Sequence, residues 1–312
     1  MRVLFLDIVH PILDETLTAN GFTCDHDYRC TYDEALDLIP NYEGLVIRSR
    51  IPVDAKFLSA ARSLKFIARS GAGLENIDLH AAASANIAVF NSPEGNMDAV
   101  GEHAIGMLLM LFNKLNFADA EVRSGEWNRE KNRGLELAGK TVGIIGFGFM
   151  GSAFAKKLSG FDCTILAYDK YKSNYAPEYV KEVSLQYLQQ NADIISIHLP
   201  LSPETNYYVD RKFIDSCEKP FFLINTARGR HVKISDLLAG LASAKVLGAC
   251  LDVLEYEMNS FEKLSSSYLP EDFKKLAASE QVVLSPHVAG WTIESYKKLS
   301  LYLAEKILAA KF

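Results

Sequence analysis

The chain has 312 residues and a formal net charge of −6, with 49% hydrophobic and 23% charged residues. This composition is ordinary for a globular protein, and the length suffices for two domains with sizeable cores. The negative charge argues against nucleic acid or an anionic membrane surface as the main partner.

The cysteines and the apolar runs indicate the cellular compartment. The five cysteines are scattered and lack the spacing of metal ligands, which favours reduced thiols in a reducing compartment and no metal site. The chain reaches Asp7 too early for a secretory signal, and its longest apolar run, Ala104 to Phe112, is too short to span a bilayer. We therefore expect a cytoplasmic protein without a membrane partner.

The first hundred residues alternate strand-like runs with helical patterns, which predicts a parallel sheet covered by helices. The predicted strands are Val3 to Asp7, Gly44 to Arg48, Leu64 to Arg69 and Ile87 to Asn91. A capping box at Thr31-Tyr32-Asp33-Glu34 predicts a helix between the first two strands. The stretch from Met97 to about Phe117 predicts one long helix followed by a polar loop. Its apolar face is compatible with a subunit contact in a homodimer and equally with core packing.

A second series of six short strands follows and matches a doubly wound sheet. These strands are Val142 to Ile145, Thr164 to Asp169, Asp193 to His198, Phe221 to Asn225, Val246 to Val253 and Val282 to Ser285. From Thr292 to Phe312, apolar residues three or four apart predict a helix that packs back on the first domain. We therefore expect one discontinuous domain, residues 1–98 and 291–312, and a second domain, residues 99–290.

The most informative motif is Gly146, Gly148 and Gly151, spaced G-x-G-x-x-G after the first strand of the second series. Gly146 permits a tight turn, Gly148 lets the backbone approach a pyrophosphate, and Gly151 lets a helix pack close to the strand. A helix starting near Phe149 directs its N–H groups at that pyrophosphate, and Asp169 can accept from the ribose hydroxyls. Flexible loops also produce such glycines by chance. The order strand, turn, helix, strand and acidic residue nevertheless predicts a bound nicotinamide dinucleotide.

Three further segments follow predicted strands and carry residues suited to chemistry: residues 225–230, 248–257 and 285–291. Oxidation of a 2-hydroxy acid needs a base for the hydroxyl proton and a fixed cation for the carboxylate and developing carbonyl. Histidine suits the first task because it changes charge near neutral pH, and a neighbouring carboxylate stabilises its protonated form. Arginine suits the second, because its planar guanidinium group can donate two parallel hydrogen bonds to a carboxylate. Taken singly, such residues more often cap, bridge or face solvent.

From Arg48 through the last predicted helix, the chain resembles the D-isomer-specific 2-hydroxyacid dehydrogenases. The resemblance implies a Rossmann cofactor domain inserted into a flavodoxin-like substrate domain, both α/β. In the N-x-x-R-G segment it implies that Arg228 orients the substrate. It implies that Glu257 pairs with His287, and that His287 in the P-H-x-A-G segment is the acid/base. The backbone N–H groups of Ser70, Gly71, Ala72 and Gly73 are expected to hold the substrate carboxylate.

The same resemblance extends the cofactor site beyond the glycine motif and Asp169. The added residues are Phe149, Met150, His198, Pro200, Thr205, Thr226, Ala227, Asp252, Ala289 and Gly290. Without the resemblance, His198 is equally well interpreted as a half-buried residue at a strand end. The chain departs from the family pattern at Met258, where proline is usual, and at Gly101, where alanine is more common. An extended loop, Asn259 to Lys275, is compatible with a lid, an interface insertion or neutral drift.

Within the family, the first half of the chain is most similar to D-3-phosphoglycerate dehydrogenases. Arg48 and Arg50 offer positive charge for a phosphate and Asn96 offers an amide, although both arginines can instead form surface ion pairs. The chain stops soon after His287, so we expect no regulatory domain after it. Glyoxylate or hydroxypyruvate reductase is the main alternative. A formate dehydrogenase is disfavoured by Glu257, and a corepressor-like NAD(H) sensor by the lack of long polar tails.

Overall fold

The computed structural model describes residues 1–257 and 269–312, which form two compact units. Unit 1 comprises Met1–Asn96 and Trp291–Phe312, and unit 2 comprises residues 97–257 and 269–290. Each unit is built on its own parallel sheet. Within the described residues, no helix has the length and hydropathy needed to cross a membrane.

Unit 1 contains a five-stranded parallel sheet in the order β2-β1-β3-β4-β5. The strands are β1 (Arg2–Phe5), β2 (Thr23–His26), β3 (Gly44–Ile47), β4 (Phe66–Arg69) and β5 (Ala88–Asn91). This order is that of flavodoxin-like sheets, so the predicted fold of this unit is confirmed. Strand β2 was not predicted from the sequence. It lies at the sheet edge and has no fully buried residue, so its sequence lacks the apolar signal of a central strand.

Helices cover both faces of this sheet. They are α1 (Ile12–Ala19), α2 (Tyr32–Leu38), α3 (Ala55–Ala60), α4 (Leu79–Ser84) and, near the end of the chain, α12 (Ile293–Ala309). The predicted capping box is present: Thr31 Oγ1 accepts from Glu34 N, and Glu34 accepts from Thr31 N at 2.7 Å. Leu303 and Ile307 of α12 are fully buried in one cluster with Val3 and Phe5. The second chain segment of unit 1 therefore completes a core begun by its first strand.

Unit 2 contains a seven-stranded parallel sheet in the order β12-β11-β10-β9-β6-β7-β8. The strands are β6 (Thr141–Ile145), β7 (Thr164–Tyr168), β8 (Lys181–Glu182), β9 (Ile194–Ile197), β10 (Phe221–Asn225), β11 (Val246–Leu251) and β12 (Val282–Leu284). This is the doubly wound sheet that the sequence predicts, with β8 as an additional edge strand. Both residues of β8 are exposed, so no hydrophobic pattern marks it. The strand order reverses between β6 and β9, where doubly wound sheets bind ligands.

The helices of unit 2 depart from the prediction at one point. They are α5 (Met97–Asn113), α6 (Leu115–Arg123), α7 (Phe149–Leu158), α8 (Leu185–Asn191), α9 (Arg211–Ser216), α10 (Ile234–Ala242) and α11 (Glu271–Ala277). The single helix predicted from Met97 to about Phe117 is wrong, because Lys114 adopts a left-handed φ of 50° and separates α5 from α6. Ala104 and Leu108 of α5 are fully buried in one cluster with Val142 and Ile144, so its apolar face packs in the core.

The loop predicted from Asn259 to Lys275 is wrong for its last residues, which belong to α11. Leu269 and Pro270 directly precede that helix, whereas Met258 and the rest of the predicted loop lie within residues 258–268, outside the described part of the chain. At Gly101, an added Cβ would lie 3.2 Å from the backbone of Ala153, because α5 packs closely on α7. Glycine at this position therefore matches the close approach of the two helices.

Candidate active site

The predicted site residues of unit 2 follow the carboxyl ends of its strands. The glycine motif follows β6, Asp169 follows β7 and His198 follows β9. Arg228, Glu257 and His287 follow β10, β11 and β12, which are neighbours in the sheet. Carboxyl ends of adjacent parallel strands share one edge, so the fold brings the two groups of predicted residues to the same edge of this sheet.

Two glycines of the motif occupy positions that reject a side chain. Gly146 has a φ of +90°, and a Cβ there would lie 2.6 Å from the carbonyl oxygen of His198. A Cβ on Gly151 would lie 2.1 Å from the carbonyl oxygen of Gly146, because α7 starts close against the end of β6. Gly148 faces open space and precedes the helix, whose N-terminus receives no hydrogen bond from a capping side chain. The N–H groups of this turn therefore suit a phosphate.

Two further residues support a dinucleotide at this edge. The Asp169 carboxylate is fixed by two backbone donors, Phe147 N at 2.9 Å and Tyr171 N at 3.0 Å. Each oxygen keeps a lone pair for a ribose hydroxyl. Thr226 begins the loop after β10, and its hydroxyl is buried without a hydrogen-bond partner among the described residues. Buried hydroxyl groups are normally hydrogen-bonded, so this one fits a ligand contact.

Other predicted cofactor residues have contacts within their own loops. Phe149 and Met150 form the first turn of α7, and the Phe149 ring is half-exposed. The Thr205 hydroxyl donates to Pro200 O at 2.6 Å and accepts from Ser202 N at 2.8 Å, so it holds the loop after β9. Ala227 N donates to Asn225 Oδ1 at 3.1 Å. These contacts give the loops a fixed shape.

His198 is buried at the end of β9. Its Nε2 lies 2.8 Å from Ser196 Oγ, and its ring packs on Phe154 with centroids 5.3 Å apart. Desolvation by burial lowers the pKa of His198 to about 3, so the imidazole is neutral at physiological pH. A neutral, buried imidazole serves packing and hydrogen bonding rather than proton transfer.

The central feature of the site is a histidine–carboxylate pair. His287 Nδ1 lies 2.6 Å from Glu257 Oε2, and the other carboxylate oxygen accepts from Leu254 N at 2.5 Å. The side chains are 23% and 13% exposed, so the pair is largely shielded from water. The contact with Glu257 at Nδ1 fixes the orientation of the imidazole ring.

Asp252 holds the loop that carries His287. Its buried carboxylate accepts from Ser285 Oγ at 2.6 Å, Val288 N at 2.9 Å and Ala289 N at 2.8 Å. Its carbonyl oxygen accepts from His287 N at 2.7 Å, and His287 has a left-handed φ of 56°. Asp252 and Ala289, both predicted as cofactor contacts, thus bind each other and fix the backbone that ends at Gly290.

His103 on α5 joins this network, although no motif in the sequence indicates it. Its Nε2 lies 2.9 Å from Ser285 Oγ and 3.6 Å from Asp252 Oδ1. Because the Ser285 hydroxyl donates to Asp252, the histidine is the donor to Ser285. The contact joins residues that are 182 positions apart, so only the fold could reveal it.

The loop after β10 presents Arg228 from a fixed backbone. Asn225 Nδ2 donates to Arg228 O at 2.9 Å, and Arg228 Nη1 donates to Ala227 O at 2.7 Å. A Cβ on Gly229 would lie 2.0 Å from Leu254 O, so this loop touches the segment that leads to Glu257. The Arg228 side chain is partly buried.

The predicted substrate loop of unit 1 follows β4. Ser70 N donates to Ile47 O at 2.9 Å, and the carbonyl groups of Gly71 and Ala72 accept from Ser92 N and Asn91 Nδ2. Within residues 1–257 and 269–312, the N–H groups of residues 71–73 have no hydrogen-bond partner. The loop also covers the guanidinium group of Arg69, which was not predicted from the sequence as a site residue. A Cβ on Gly71 would lie 1.8 Å from Arg69 Nη1.

Three other residues of unit 1 bear on the predicted phosphate contacts. Arg50 donates to the carbonyl groups of Cys30 and Leu6 at 2.5 Å and pairs with Asp7 at 3.4 Å, so it holds its own loop together. Arg48 instead stacks on the indole of Trp291. Asn96 Oδ1 is buried without a hydrogen-bond partner in the described part of the chain. We therefore retain Arg48 and Asn96 as candidates and not Arg50.

Comparison with known proteins identifies the family of this chain. The family model for the D-isomer specific 2-hydroxyacid dehydrogenase, NAD binding domain, matches residues 105–289. The chain belongs to this family. The family consists of oxidoreductases, and the matched segment is its domain for a nicotinamide dinucleotide. Within the described residues, no group of three or more His, Cys, Asp or Glu is arranged to hold a metal ion.

Two curated relatives and one solved structure illustrate the range of the family. A D-3-phosphoglycerate dehydrogenase from Archaeoglobus fulgidus is 34% identical over 99% of this chain and 57% of its own length. A hydroxypyruvate reductase from Thermotoga maritima is 35% identical over 88% of this chain and 87% of its own length. A glyoxylate reductase from Paecilomyes thermophila is 25% identical over 99% of this chain and 95% of its own, with a TM-score of 0.86. The chain spans about half the length of the phosphoglycerate dehydrogenases that it matches.

Proposed function

We propose that this protein is an NAD-dependent D-2-hydroxyacid dehydrogenase. The observation that carries the proposal is the pair formed by His287 and Glu257, joined at 2.6 Å and largely shielded from water. A histidine held by a carboxylate at one ring nitrogen is suited to general acid–base catalysis at the other. We assign cofactor binding to residues 99–290 and substrate recognition to residues 1–98 and 291–312.

Each residue of the catalytic set has a distinct task in the oxidation of a 2-hydroxy acid. His287 Nε2 removes the hydroxyl proton, and Glu257 stabilises the imidazolium that forms. Arg228 binds the carboxylate and polarises the developing carbonyl oxygen. When bound, the nicotinamide supplies the hydride acceptor. In the reverse direction, His287 returns the proton to the carbonyl oxygen.

The geometry of unit 2 supports the cofactor contacts that we propose. The turn from Gly146 to Gly151 and the N-terminus of α7 hold the pyrophosphate. Asp169 binds the adenosine ribose, which selects NAD over its 2′-phosphorylated form. The buried hydroxyl of Thr226 supplies a further contact from the loop after β10.

For the substrate, we propose 3-phosphoglycerate, oxidised to 3-phosphohydroxypyruvate in serine biosynthesis. The N–H groups of residues 71–73 and Arg69 beneath them suit the carboxylate common to all 2-hydroxy acids. Arg48 and Asn96 offer polar groups for the phosphate. Hydroxypyruvate or glyoxylate reductase is the second candidate, because the hydroxypyruvate reductase relative is matched over 87% of its own length.

A panel of 2-keto acids tests these proposals. Consumption of NADH is followed by its absorbance with 3-phosphohydroxypyruvate, hydroxypyruvate, glyoxylate and pyruvate at equal concentrations. We expect the highest kcat/KM with 3-phosphohydroxypyruvate. A higher value with an unphosphorylated acid favours the reductase assignment, and binding of NADH without turnover of any acid contradicts an enzymatic role.

We further propose a cytoplasmic homodimer that binds neither nucleic acid nor membrane.

A further inference from the structure

Trp291 covers one face of the Arg48 guanidinium group in unit 1. The Arg48 Cζ atom lies 4.3 Å from the centre of the indole ring, well within the range of a cation–π contact. Trp291 is 50% exposed, although an indole of this size normally packs in a core or an interface. It directly precedes Thr292, the N-cap residue of α12, so the helix anchors its backbone.

The main chain and the side chain of Arg48 differ in what holds them. Its main chain is held by Asp7 Oδ2, which accepts from Arg48 N at 2.5 Å, and by Arg69 Nε, which donates to Arg48 O at 3.2 Å. Among the described residues, however, the side chain makes no hydrogen bond or ion pair. The neighbouring Arg50 differs, because its guanidinium group is bound to Asp7 and to backbone carbonyl groups.

Trp291 is itself held in place by a second aromatic contact. Its ring centroid lies 5.7 Å from that of Tyr296 on α12, and Tyr296 lies 5.4 Å from His10. His10 Nδ1 in turn accepts from Ile12 N at 3.2 Å at the start of α1. A row of three rings therefore fixes the plane on which Arg48 rests.

A guanidinium group with one face on an aromatic ring keeps its N–H donors at the edge, in the plane that matches phosphate or carboxylate oxygens. Stacking also reduces the side-chain freedom that an anion must otherwise remove on binding. The Asp7 carboxylate accepts from Arg48 N with one oxygen and pairs with Arg50 through the other, so it does not occupy this edge.

We propose that Trp291 is a specificity-determining residue that holds Arg48 in position for a second anionic group of the substrate. That group is the one distal to the 2-keto acid, either a phosphate or a carboxylate. The proposal rests on the function proposed above only in assigning the anion to a 2-keto acid substrate. Trp291 acts by covering one face of the Arg48 guanidinium group, which leaves the N–H donors at its edge for the anion.

Kinetics of Trp291→Leu and Trp291→Phe test the proposal with three substrates. 3-Phosphohydroxypyruvate carries a distal phosphate, 2-oxoglutarate a distal carboxylate, and hydroxypyruvate neither. A cation–π contact contributes a few-fold to about thirtyfold in affinity, so Trp291→Leu should raise KM about tenfold for the acid with the preferred anion. KM for hydroxypyruvate should change less than twofold, and Trp291→Phe should recover most of the loss. In an Arg48→Ala background, Trp291→Leu should have no further effect. An equal loss for all three acids would overturn the proposal.

A binding measurement tests the same contact without turnover. The chain has two tryptophans, so in a Trp127→Phe variant the emission comes from Trp291 alone. Titration with 3-phosphoglycerate, 2-oxoglutarate or inorganic phosphate should change this emission saturably, and Arg48→Ala should abolish the change. If no acid is turned over, the dehydrogenase assignment fails, whereas a saturable Arg48-dependent signal still supports the anion site. Emission insensitive to all three anions would contradict the site itself.

Discussion

A Cβ atom on Gly229 would lie 2.0 Å from the carbonyl oxygen of Leu254. The loop that carries Arg228 and the segment that leads to Glu257 are therefore in backbone contact, and a methyl group cannot be inserted without moving one of them. The relative position of the cation and the carboxylate thus depends on a residue that has no side chain.

Gly229→Ala should lower kcat/KM by about a hundredfold, because a displacement of about 1 Å in a catalytic group has an effect of this size. Steady-state kinetics with the preferred 2-keto acid measures the loss. The matched control is Gly160→Ala, where an added Cβ meets open space, and it should keep its activity. Equal activity of the two variants would show that the two segments can shift freely.

His287→Asn should lower kcat by about two to four decades, as expected for the loss of a general acid–base. Its dinucleotide affinity, measured by the fluorescence of bound NADH, should barely change. Turnover within a few-fold of wild type would exclude His287 as the acid/base.

Glu257→Gln should lower kcat by less than His287→Asn does. The amide oxygen can still accept from His287 Nδ1, but it does not neutralise the imidazolium that forms when the proton is removed. The measurement is the steady-state kcat of both variants and of the wild type under the same conditions. Wild-type turnover by Glu257→Gln would show that the 2.6 Å contact has no part in proton transfer.

The fixed carboxylate of Asp169 should make kcat/KM much higher with NADH than with NADPH. A 2′-phosphate meets like charge at this position and loses the ribose hydrogen bonds. Asp169→Asn should lower the ratio of kcat/KM with NADH to kcat/KM with NADPH, since it removes the charge and keeps one oxygen acceptor. Equal use of both cofactors by the wild type would contradict the assignment of Asp169.

His198 predicts a pH dependence of stability. Its pKa in the folded protein, about 3, is below the ordinary value of 6.5, so the unfolded chain binds the extra proton between these values. The stabilisation is fully present above pH 6.5 and is lost as the pH falls. Between pH 7.5 and 5.5, the free energy of unfolding in urea should fall about 1 kcal/mol more for wild type than for His198→Asn. His80→Asn, which alters an exposed histidine, should behave like wild type.

The parts of the fold that the sequence predicts are those that a local pattern specifies. Buried strands such as β6 and β10 are continuous apolar runs, and Gly146 and Gly151 stand where only glycine fits. Strands β2 and β8 were missed because edge strands carry little apolar signal. Lys114 carries no helix-breaking signal, yet its left-handed backbone ends α5.

The site residues that escaped prediction are those whose role depends on contacts distant in sequence. His103 meets Asp252 and Ser285, and Trp291 meets Arg48, across long stretches of chain. Arg50 is the opposite case, because its charge suggested a ligand and its guanidinium group instead binds Asp7 and two backbone carbonyl groups. Charge can be read from a sequence, whereas its availability depends on packing.

The position of α12 in the chain has a consequence for synthesis on the ribosome. Leu303 and Ile307 fill the core around Val3 and Phe5, yet they are translated only after all of unit 2. Nascent unit 1 therefore exposes an apolar face of its sheet during the interval in which unit 2 can already fold. Exposed apolar surface makes a partly folded chain prone to aggregation. We therefore expect newly made chains to depend on chaperones until α12 leaves the ribosome.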